Sequence, residues 1–412
     1  MIASQPKAAA RGLLALTLAV LAALLAPALA LASAGDLDRS FGDGGRVVTN
    51  FCLHPRGFSV VIDHHGRLVV AGTDNHATQF CVARYRRDGS LDRSFSGNGR
   101  VRTSFGAAAG ARSVAIDSRG RIVAAGGYGL ERNHIDSFAL ARYRPNGTLD
   151  PSFGADGKMT TAFGGHAAAE SVAIDSHDRI VAAGGADNDF ALARYKWNGS
   201  LDPSFGTGGE VATDFGASDT AYAVAIDSQR RIVATGETLS GMGDDFAIAR
   251  YDPNGSPDTS FGAGGQVTTD FGGLSAASSV AIDSRDRVVA AGGGPPDEHI
   301  NRFALARYWR NGSLDSSFSD DGRVTTSFRD HARANSAAID SRGRIVAVGG
   351  VFDVARYKSN GRLDRSFGGD GKVTTGWLAG ATSAAIDSRD RIVVVGEHSK
   401  LLLARFIGYR RP

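Results

Sequence analysis

The chain has 412 residues, of which 42% are hydrophobic and 8% aromatic, and its 46 basic and 43 acidic residues give a formal net charge of +3. This small excess does not indicate a nucleic-acid-binding protein, and the mixture of charged and apolar residues excludes long disorder. The two cysteines exclude a disulfide-dense scaffold and a cysteine-rich zinc module, and 54 glycines with 11 prolines are too few for a collagen-like chain.

Residues 1–34 have the pattern of a secretory signal peptide. Lys7 and Arg11 form a basic start, a long apolar run follows, and small residues stand at its end. An uncleaved membrane anchor is the alternative, because the run approaches the length of a membrane span. Pro27 and the alanine-rich end favour cleavage. We therefore predict a secreted or cell-envelope protein with no stable membrane span after cleavage, and one mature domain at 35–412.

Three short motifs recur seven times after the predicted signal. They are Asp-x-Ser-Phe, Ile-Asp and Ala-Arg followed by an aromatic residue. Their last residues are Phe41, Phe95, Phe153, Phe205, Phe261, Phe318 and Phe367 for the first motif; Asp63, Asp117, Asp175, Asp227, Asp283, Asp340 and Asp387 for the second; and Tyr85, Tyr143, Tyr195, Tyr251, Tyr308, Tyr357 and Phe406 for the third. Successive copies of the first motif are 49 to 58 residues apart. One repeat array, and not two or three domains, therefore fills the mature chain.

Each copy contains four predicted β-strands. In the third copy they cover 171–175, 179–184, 190–195 and 211–215, and the turn pair Asn198-Gly199 separates the last two. No apolar repeat of helical period extends over three turns after the signal. Seven four-stranded units of this length predict an all-β fold, a seven-bladed β-propeller. A β-solenoid is the alternative, but its coils are usually much shorter.

The ends of the array predict how the ring closes. The array begins with an outer strand at 46–51 and ends with a third-position strand at 401–406. We therefore expect the N-terminal strand to complete the last blade, which removes two exposed strand edges.

The repeated unit reads Ser-x-Ala-Ile-Asp-Ser-Arg-Gly-Arg-Ile-Val-Ala-Ala-Gly-Gly, then Phe-Ala-Leu-Ala-Arg-Tyr, then Asn-Gly-x-Leu-Asp-x-Ser-Phe-Gly. It resembles the delta-sixty repeat, a family of exported bacterial β-propeller repeats. The resemblance covers essentially the whole mature chain and implies the propeller fold and export. It brings no catalytic residues and no reaction, so it leaves the function open.

Several charged residues recur in every copy, as Asp175, Arg194 and Asp202 do in the third. A ring of charged ligand groups is one interpretation. A structural pair or turn cap in each blade is the other, and we favour it because an active site in a closed ring is normally asymmetric.

The two cysteines predict a disulfide. Cys52 follows the closing strand, and Cys81 begins a third strand at a position where other copies have alanine. In the expected topology both lie near one face of adjacent blades, and export favours oxidation. We predict that a Cys52–Cys81 disulfide holds the closing strand, with two free thiols as the alternative.

The residues that differ most between copies lie in the loops between second and third strands and in the loops between blades. Both sets of loops share one face of the ring, which we call the variable-loop face. Its candidate binding residues are His76, Glu131, His134, Asp187, Asp245, Asp297, His299 and His398. A ligand, metal or partner site is the functional interpretation, and ordinary variation of polar loops is the alternative.

These patterns predict a monomeric, non-catalytic module that binds an unknown protein or glycan through the variable-loop face. The alternative is a secreted hydrolase or lyase with its site at the mouth of the central channel. We predict no catalytic residues, no metal site, no cofactor and no nucleic-acid partner. Calcium at Asp-Gly turns such as Asp156-Gly157 and Asp321-Gly322 stays open, although no Asp-x-Asp-x-Asp run supports it.

Overall fold

A computed structural model of the chain describes residues 32–52, 56–74, 76–129, 135–240, 243–297, 300–328, 332–397 and 400–409. All but the last three residues of the predicted signal, 1–34, lie outside this part of the chain. In the described ranges every regular element is a β-strand. Accordingly, these ranges contain no helix with the length and hydropathy to cross a membrane.

The strands form seven four-stranded blades, numbered here in chain order. The first strand, β1, covers Arg46–Thr49. Blade 1 contains β2 (Arg56–Ile62), β3 (Leu68–Thr73), β4 (Gln79–Tyr85) and β5 (Arg100–Ser104). Blade 2 contains β6 (Ala108–Ile116), β7 (Ile122–Gly129), β8 (Ser137–Tyr143) and β9 (Lys158–Ala162). Blade 3 contains β10 (Ala167–Ile174), β11 (Ile180–Ala186), β12 (Asp189–Tyr195) and β13 (Glu210–Thr213). Blade 4 contains β14 (Asp219–Ile226), β15 (Ile232–Ser240), β16 (Gly243–Tyr251) and β17 (Gln266–Thr269).

The remaining three blades repeat this plan. Blade 5 contains β18 (Ala276–Ile282), β19 (Val288–Asp297), β20 (Ile300–Tyr308) and β21 (Arg323–Thr326). Blade 6 contains β22 (Ala334–Ile339), β23 (Ile345–Gly349), β24 (Asp353–Tyr357) and β25 (Lys372–Thr374). Blade 7 contains β26 (Gly380–Ile386), β27 (Ile392–Glu397) and β28 (Leu401–Phe406), together with β1.

The predicted seven-bladed β-propeller with four antiparallel strands in each blade is confirmed. In blades 1 to 6 the strands pair in chain order. In blade 7 the order is β1-β28-β27-β26, so the first strand of the chain is the outer strand of the last blade. Arg46 lies opposite Ala404 and Thr49 opposite Leu401 in this antiparallel pair.

Small apolar residues fill the interfaces between blades. Between blades 2 and 3, Phe138 and Leu140 pack with Ala169 and Ala182, and none of the four is exposed to solvent. Burial of one Leu or Phe side chain contributes roughly 1.5–3 kcal/mol to folding. Alanine and glycine on the facing strand allow the two sheets to approach closely, which explains the low aromatic content.

A serine in the inner strand of every blade except blade 4 also links neighbouring blades. The backbone N–H of Val172 in blade 3 donates to Ser113 Oγ in blade 2 at 3.1 Å. The backbone N–H of Val60 in blade 1 donates the equivalent bond to Ser383 Oγ in blade 7 at 3.2 Å. This bond therefore links the first and last blades. In blade 4 the position holds Ala223, which has no hydroxyl to accept the bond.

The inner strand of each blade contains a β-bulge that the repeat pattern does not predict. In blade 3 the sequence predicts a strand from 171, whereas β10 begins at Ala167 and its register shifts between Ala169 and Ser171. The extra residue, Glu170, interrupts the apolar alternation, and this explains why the first half of the strand is not recognisable from the sequence.

In blades 2 to 7 a glycine opposite the bulge is required by close backbone approach. A Cβ atom on Gly184 would lie 1.8 Å from the carbonyl oxygen of Ala168. We expect Gly184→Ala to lower the free energy of unfolding by about 1–3 kcal/mol, because the strands must separate to accept the methyl group. Gly380→Ala is the control, since the nearest atom to its added Cβ lies 3.9 Å away. Urea unfolding of both variants checks this, and equal stabilities would contradict it.

Candidate functional site

The seven bulges place one side chain from each blade around the central channel. The bulge residue is the extra residue of the inner strand, which pairs with no residue of the second strand. The seven residues, called here the channel ring, are Phe58, Arg112, Glu170, Tyr222, Ser278, Asn335 and Thr382. No two members of the ring are the same amino acid, although the strands around them repeat closely.

The channel ring lines a single cavity of about 770 Å³. The other charged and large apolar residues that line it are Glu237, Asp244, Leu274 and Arg333. Asp244 lies at the end of the β15–β16 hairpin and Leu274 in the loop before β18, so the cavity opens on the variable-loop face. We call it the channel-mouth cavity. Its volume is typical of a site for a small molecule.

Two polar pairs include members of the channel ring. The Arg112 guanidinium forms an ion pair with the Glu170 carboxylate of the next blade. The Tyr222 hydroxyl donates a hydrogen bond to Glu237 Oε1 at 2.5 Å. Burial, and then the hydrogen bond to the Glu237 carboxylate, raises the pKa of Tyr222, so its phenol stays protonated and remains a donor.

Charges of both signs act on the Tyr222 hydroxyl. Arg333 favours the ionised phenol, whereas Glu237 and Asp244 oppose it. Leu274, 63% exposed, adds an apolar surface to the same cavity. The cavity therefore offers cationic, anionic and apolar contacts to a single occupant.

The sequence-predicted loop residues occupy the rim and not the channel ring. His76 and Asp187 are exposed in blades 1 and 3, and Asp245 is half-buried in β16. None of these three lines the channel-mouth cavity. Of the other predicted residues, Glu131, His134, His299 and His398 lie outside the described residues, and only the backbone of Asp297 is described. Their role in binding stays a prediction.

The channel ring could have been found in the sequence. Its members stand immediately before the repeated Ser-x-Ala-Ile-Asp segment or its variants, and this position differs in all seven copies. Asp244, which lines the cavity, is adjacent in sequence to Asp245, the residue that the sequence analysis selected. Side chains alternate along a strand, so Asp244 faces the cavity while the predicted Asp245 does not.

The charged residues that recur in every blade have structural roles, as predicted. In blade 3, Asp175 accepts hydrogen bonds from the backbone of His177 and from Arg179 Nε, and so caps the hairpin turn. Arg194 Nε donates to Asp202 Oδ2 at 2.9 Å, and the Arg194 guanidinium lies over the Phe205 ring. A further Arg194 nitrogen donates to the carbonyl of Pro253 in the next blade.

The structure pairs Cys52 with Cys81. Their Cα atoms are 6.2 Å apart, within the usual range for a disulfide, and both side chains are buried. Cys52 follows β1 and Cys81 belongs to β4, so the bond joins the outer strand of blade 7 to blade 1.

Comparison with known families is consistent with the repeat pattern. Five segments, at 66–95, 120–153, 178–205, 230–261 and 287–318, match the model described as "Domain of unknown function (DUF5122) beta-propeller". These are β-propeller repeats. The narrower resemblance to the delta-sixty repeat stays a prediction. No curated protein matches the sequence.

Several solved structures resemble this one at low sequence identity. Virginiamycin B lyase from Staphylococcus aureus is 12% identical, with a TM-score of 0.52 and coverage of 87% of this chain and 98% of that one. The WD40 β-propeller domain of Doa1 is 11% identical, with a TM-score of 0.49 and coverage of 88% and 97%. The extracellular domain of a putative one-component system from B. thetaiotaomicron is 14% identical, with a TM-score of 0.45 and coverage of 87% and 40%. The likeness to the lyase concerns the fold alone.

Proposed function

We propose that the protein is a secreted, non-catalytic binding module that holds a short peptide in the channel-mouth cavity. The observation that carries this proposal is the channel ring, in which seven repeated positions hold seven different residues. A structural role would repeat around the ring, as the pair Arg194–Asp202 does. The signal-peptide pattern supports secretion.

The chemistry of the cavity favours a zwitterion with an apolar body. Arg333 supplies a guanidinium, whose planar donors suit a carboxylate. Glu237 and Asp244 supply carboxylates for an ammonium group. Phe58 and Leu274 supply apolar contacts in the same cavity. A peptide carries all three features, and a peptide terminus or loop of a larger protein presents the same groups to the variable-loop face.

A hydrolase or lyase at the channel mouth is the second candidate. The Tyr222–Glu237 pair favours it, because a protonated phenol and a carboxylate at 2.5 Å are group types that serve as general acid and base. The two candidates differ in the fate of the ligand: a binding module releases the peptide intact, and an enzyme releases products.

We expect Arg333→Gln to weaken peptide binding at least tenfold, because the ligand carboxylate loses a charged donor worth about 1.5–3 kcal/mol. The probe is a set of defined tripeptides, ranked by thermal shift of the protein from 35–412 and measured by calorimetry. Arg323→Gln is the matched control, since Arg323 begins the outer strand β21 and pairs with exposed Asp321.

Mass spectrometry of the recovered tripeptide separates the two candidates. Intact peptide after prolonged incubation supports binding without catalysis, and fragments support the enzyme. Equal affinities of Arg333→Gln and the unmodified protein, or the absence of a shift with any tripeptide, would contradict peptide binding at the channel mouth.

A further inference from the structure

We propose that Asp189, Asp214 and Asp219 form a calcium site at the junction of blades 3 and 4. One carboxylate oxygen from each of the three lies within 4.8 Å of the others. The site lies away from the channel-mouth cavity and from the Asp-Gly turns that the sequence analysis considered for calcium.

The fold brings the three aspartates together from separate elements. Phe190 pairs with Thr213 in the β12–β13 ladder, so Asp189 and Asp214 face each other at the end of that ladder. Asp219 begins β14, the inner strand of the next blade, after a short connection from β13. A cation held by all three would tie the outer edge of blade 3 to the inner strand of blade 4.

The complete burial of the Asp219 carboxylate, with one oxygen left unsatisfied, is the observation that points to a ligand. Its side chain is fully buried, at 0% exposure. Oδ2 accepts a hydrogen bond from the Phe215 N–H at 2.6 Å, but Oδ1 has no hydrogen-bond partner among the residues that the structure describes. Burial of an ionised carboxylate with an unsatisfied oxygen is costly unless a cation or donor compensates it. A bound cation supplies that compensation.

Asp219 is exceptional for its position in the repeat. The structurally equivalent residues in five other blades are Ala109, Ala167, Ser275, Ala332 and Ala379. All five are small and buried, so the packing at this position does not require a carboxylate. Among these six equivalent positions, an aspartate occurs only in blade 4, where Asp189 and Asp214 lie beside it.

The electrostatics of the cluster fit a divalent cation. Carboxylate oxygens of Asp189, Asp214 and Asp219 lie within 4.8 Å of one another, and Asp187 adds a further negative charge nearby. Like charges at this separation repel each other, and a cation between them removes the repulsion.

The donor set favours calcium over other divalent ions. All three donors are hard carboxylate oxygens, which do not select zinc or copper. Ca²⁺ accepts oxygens at about 2.3–2.6 Å in an adaptable geometry, and oxygens within 4.8 Å of one another fit around such an ion. Water completes the coordination. Extracellular calcium sites of this kind need only weak affinity, with Kd of about 10⁻⁴–10⁻³ M.

The junction of blades 4 and 5 provides a natural control. Asp245 and Asp270 occupy the positions of Asp189 and Asp214 there, but Ser275 stands in the position of Asp219. This junction therefore has two of the three carboxylates but lacks the buried one. Substitution at Asp270 should leave calcium binding unchanged.

The test uses the protein from 35–412 after removal of metal with EDTA, and CaCl2 alone as the probe. We expect calorimetry to show one site and millimolar CaCl2 to raise the thermal midpoint, with a smaller effect of MgCl2. Asp219→Ala, which installs the residue of the other blades, and Asp214→Asn at the exposed edge should each weaken calcium binding at least tenfold. Asp270→Asn should bind as the unmodified protein does.

Two outcomes would overturn the proposal. One is a thermal midpoint and heat signal that do not respond to 10 mM CaCl2, roughly ten times the weakest affinity expected for such a site. The other is an unchanged calcium response in both Asp219→Ala and Asp214→Asn. The use of two variants guards against a folding defect in either, and circular dichroism in the absence of calcium reports folding separately.

Discussion

Asp202→Ala is expected to lower the free energy of unfolding by about 3–5 kcal/mol, because it leaves the buried Arg194 guanidinium without its anion. Arg194 is 1% exposed, and its remaining partners are Ser204, a backbone carbonyl of the next blade and the face of Phe205. None of these carries a full charge, and the nearby Asp175 carboxylate is already paired with Arg179. Urea unfolding monitored by circular dichroism measures the change.

Two further variants make this result specific. Asp321→Ala removes a carboxylate whose side chain is 53% exposed and should change stability by less than about 1 kcal/mol. The double variant Arg194→Met/Asp202→Leu removes both charges and should recover part of the loss, since no unpaired charge stays buried. A stability of Asp202→Ala equal to that of Asp321→Ala would contradict the structural role of the pair.

The loss of stability caused by Asp202→Ala should also depend on pH. Burial alone would raise the pKa of Asp202, but hydrogen bonds from Ser204 and the charge of Arg194 lower it below the ordinary value. A carboxyl with a lowered pKa in the folded state stabilises fully above its unfolded pKa, near 3.9, and this contribution is lost as the pH falls through the folded value. The difference between the unmodified protein and Asp202→Ala should therefore shrink in acid and stay constant near neutrality.

Loss of the Cys52–Cys81 disulfide is expected to lower the free energy of unfolding by about 3 kcal/mol. The bond closes a loop with a sequence separation of 29 residues, and the estimate follows from the chain entropy that such a loop removes from the unfolded state. The bond also secures β1, which is the strand of blade 7 that comes from the opposite end of the chain. Unfolding in the presence and absence of dithiothreitol measures the effect.

The double variant Cys52→Ser/Cys81→Ala should show the same loss and no response to dithiothreitol. Alanine is the natural residue at the position of Cys81 in four other blades, as at Ala139 and Ala191, so this change fits the local packing. Thiol titration under denaturant should find no free thiol before reduction and two after it. Two free thiols in the unreduced protein would refute the bond.

The repeat made the architecture accessible from sequence because the same physical signal occurs seven times. A single Ile-Asp or Asn-Gly turn is an ambiguous signal. Seven copies of the same motifs at similar spacing predict four strands in each unit, and therefore one blade in each unit. The bulge at Glu170 escaped prediction because it breaks the alternation on which strand prediction depends.

The candidate sites were harder to predict because blade geometry, and not sequence proximity, assembles them. Arg112 and Glu170 are 58 residues apart, yet they form an ion pair because both stand at bulges of neighbouring inner strands. Asp219 looks like a polar loop residue in the sequence, and only its complete burial beside Asp189 and Asp214 sets it apart. The channel ring is detectable in the sequence as the position before Ser-x-Ala-Ile-Asp that differs in every copy, whereas no sequence pattern connects Asp219 with Asp189 and Asp214.

The most direct test of peptide binding at the channel mouth is to locate a bound peptide. The best tripeptide from the thermal-shift series is synthesised with a photoreactive phenylalanine analogue, cross-linked to the protein from 35–412, and mapped by mass spectrometry after proteolysis. Cross-links to the inner strands at Phe58 or Tyr222 are the predicted result. Cross-links confined to outer strands such as β9 and β13, on the circumference of the ring, would contradict it.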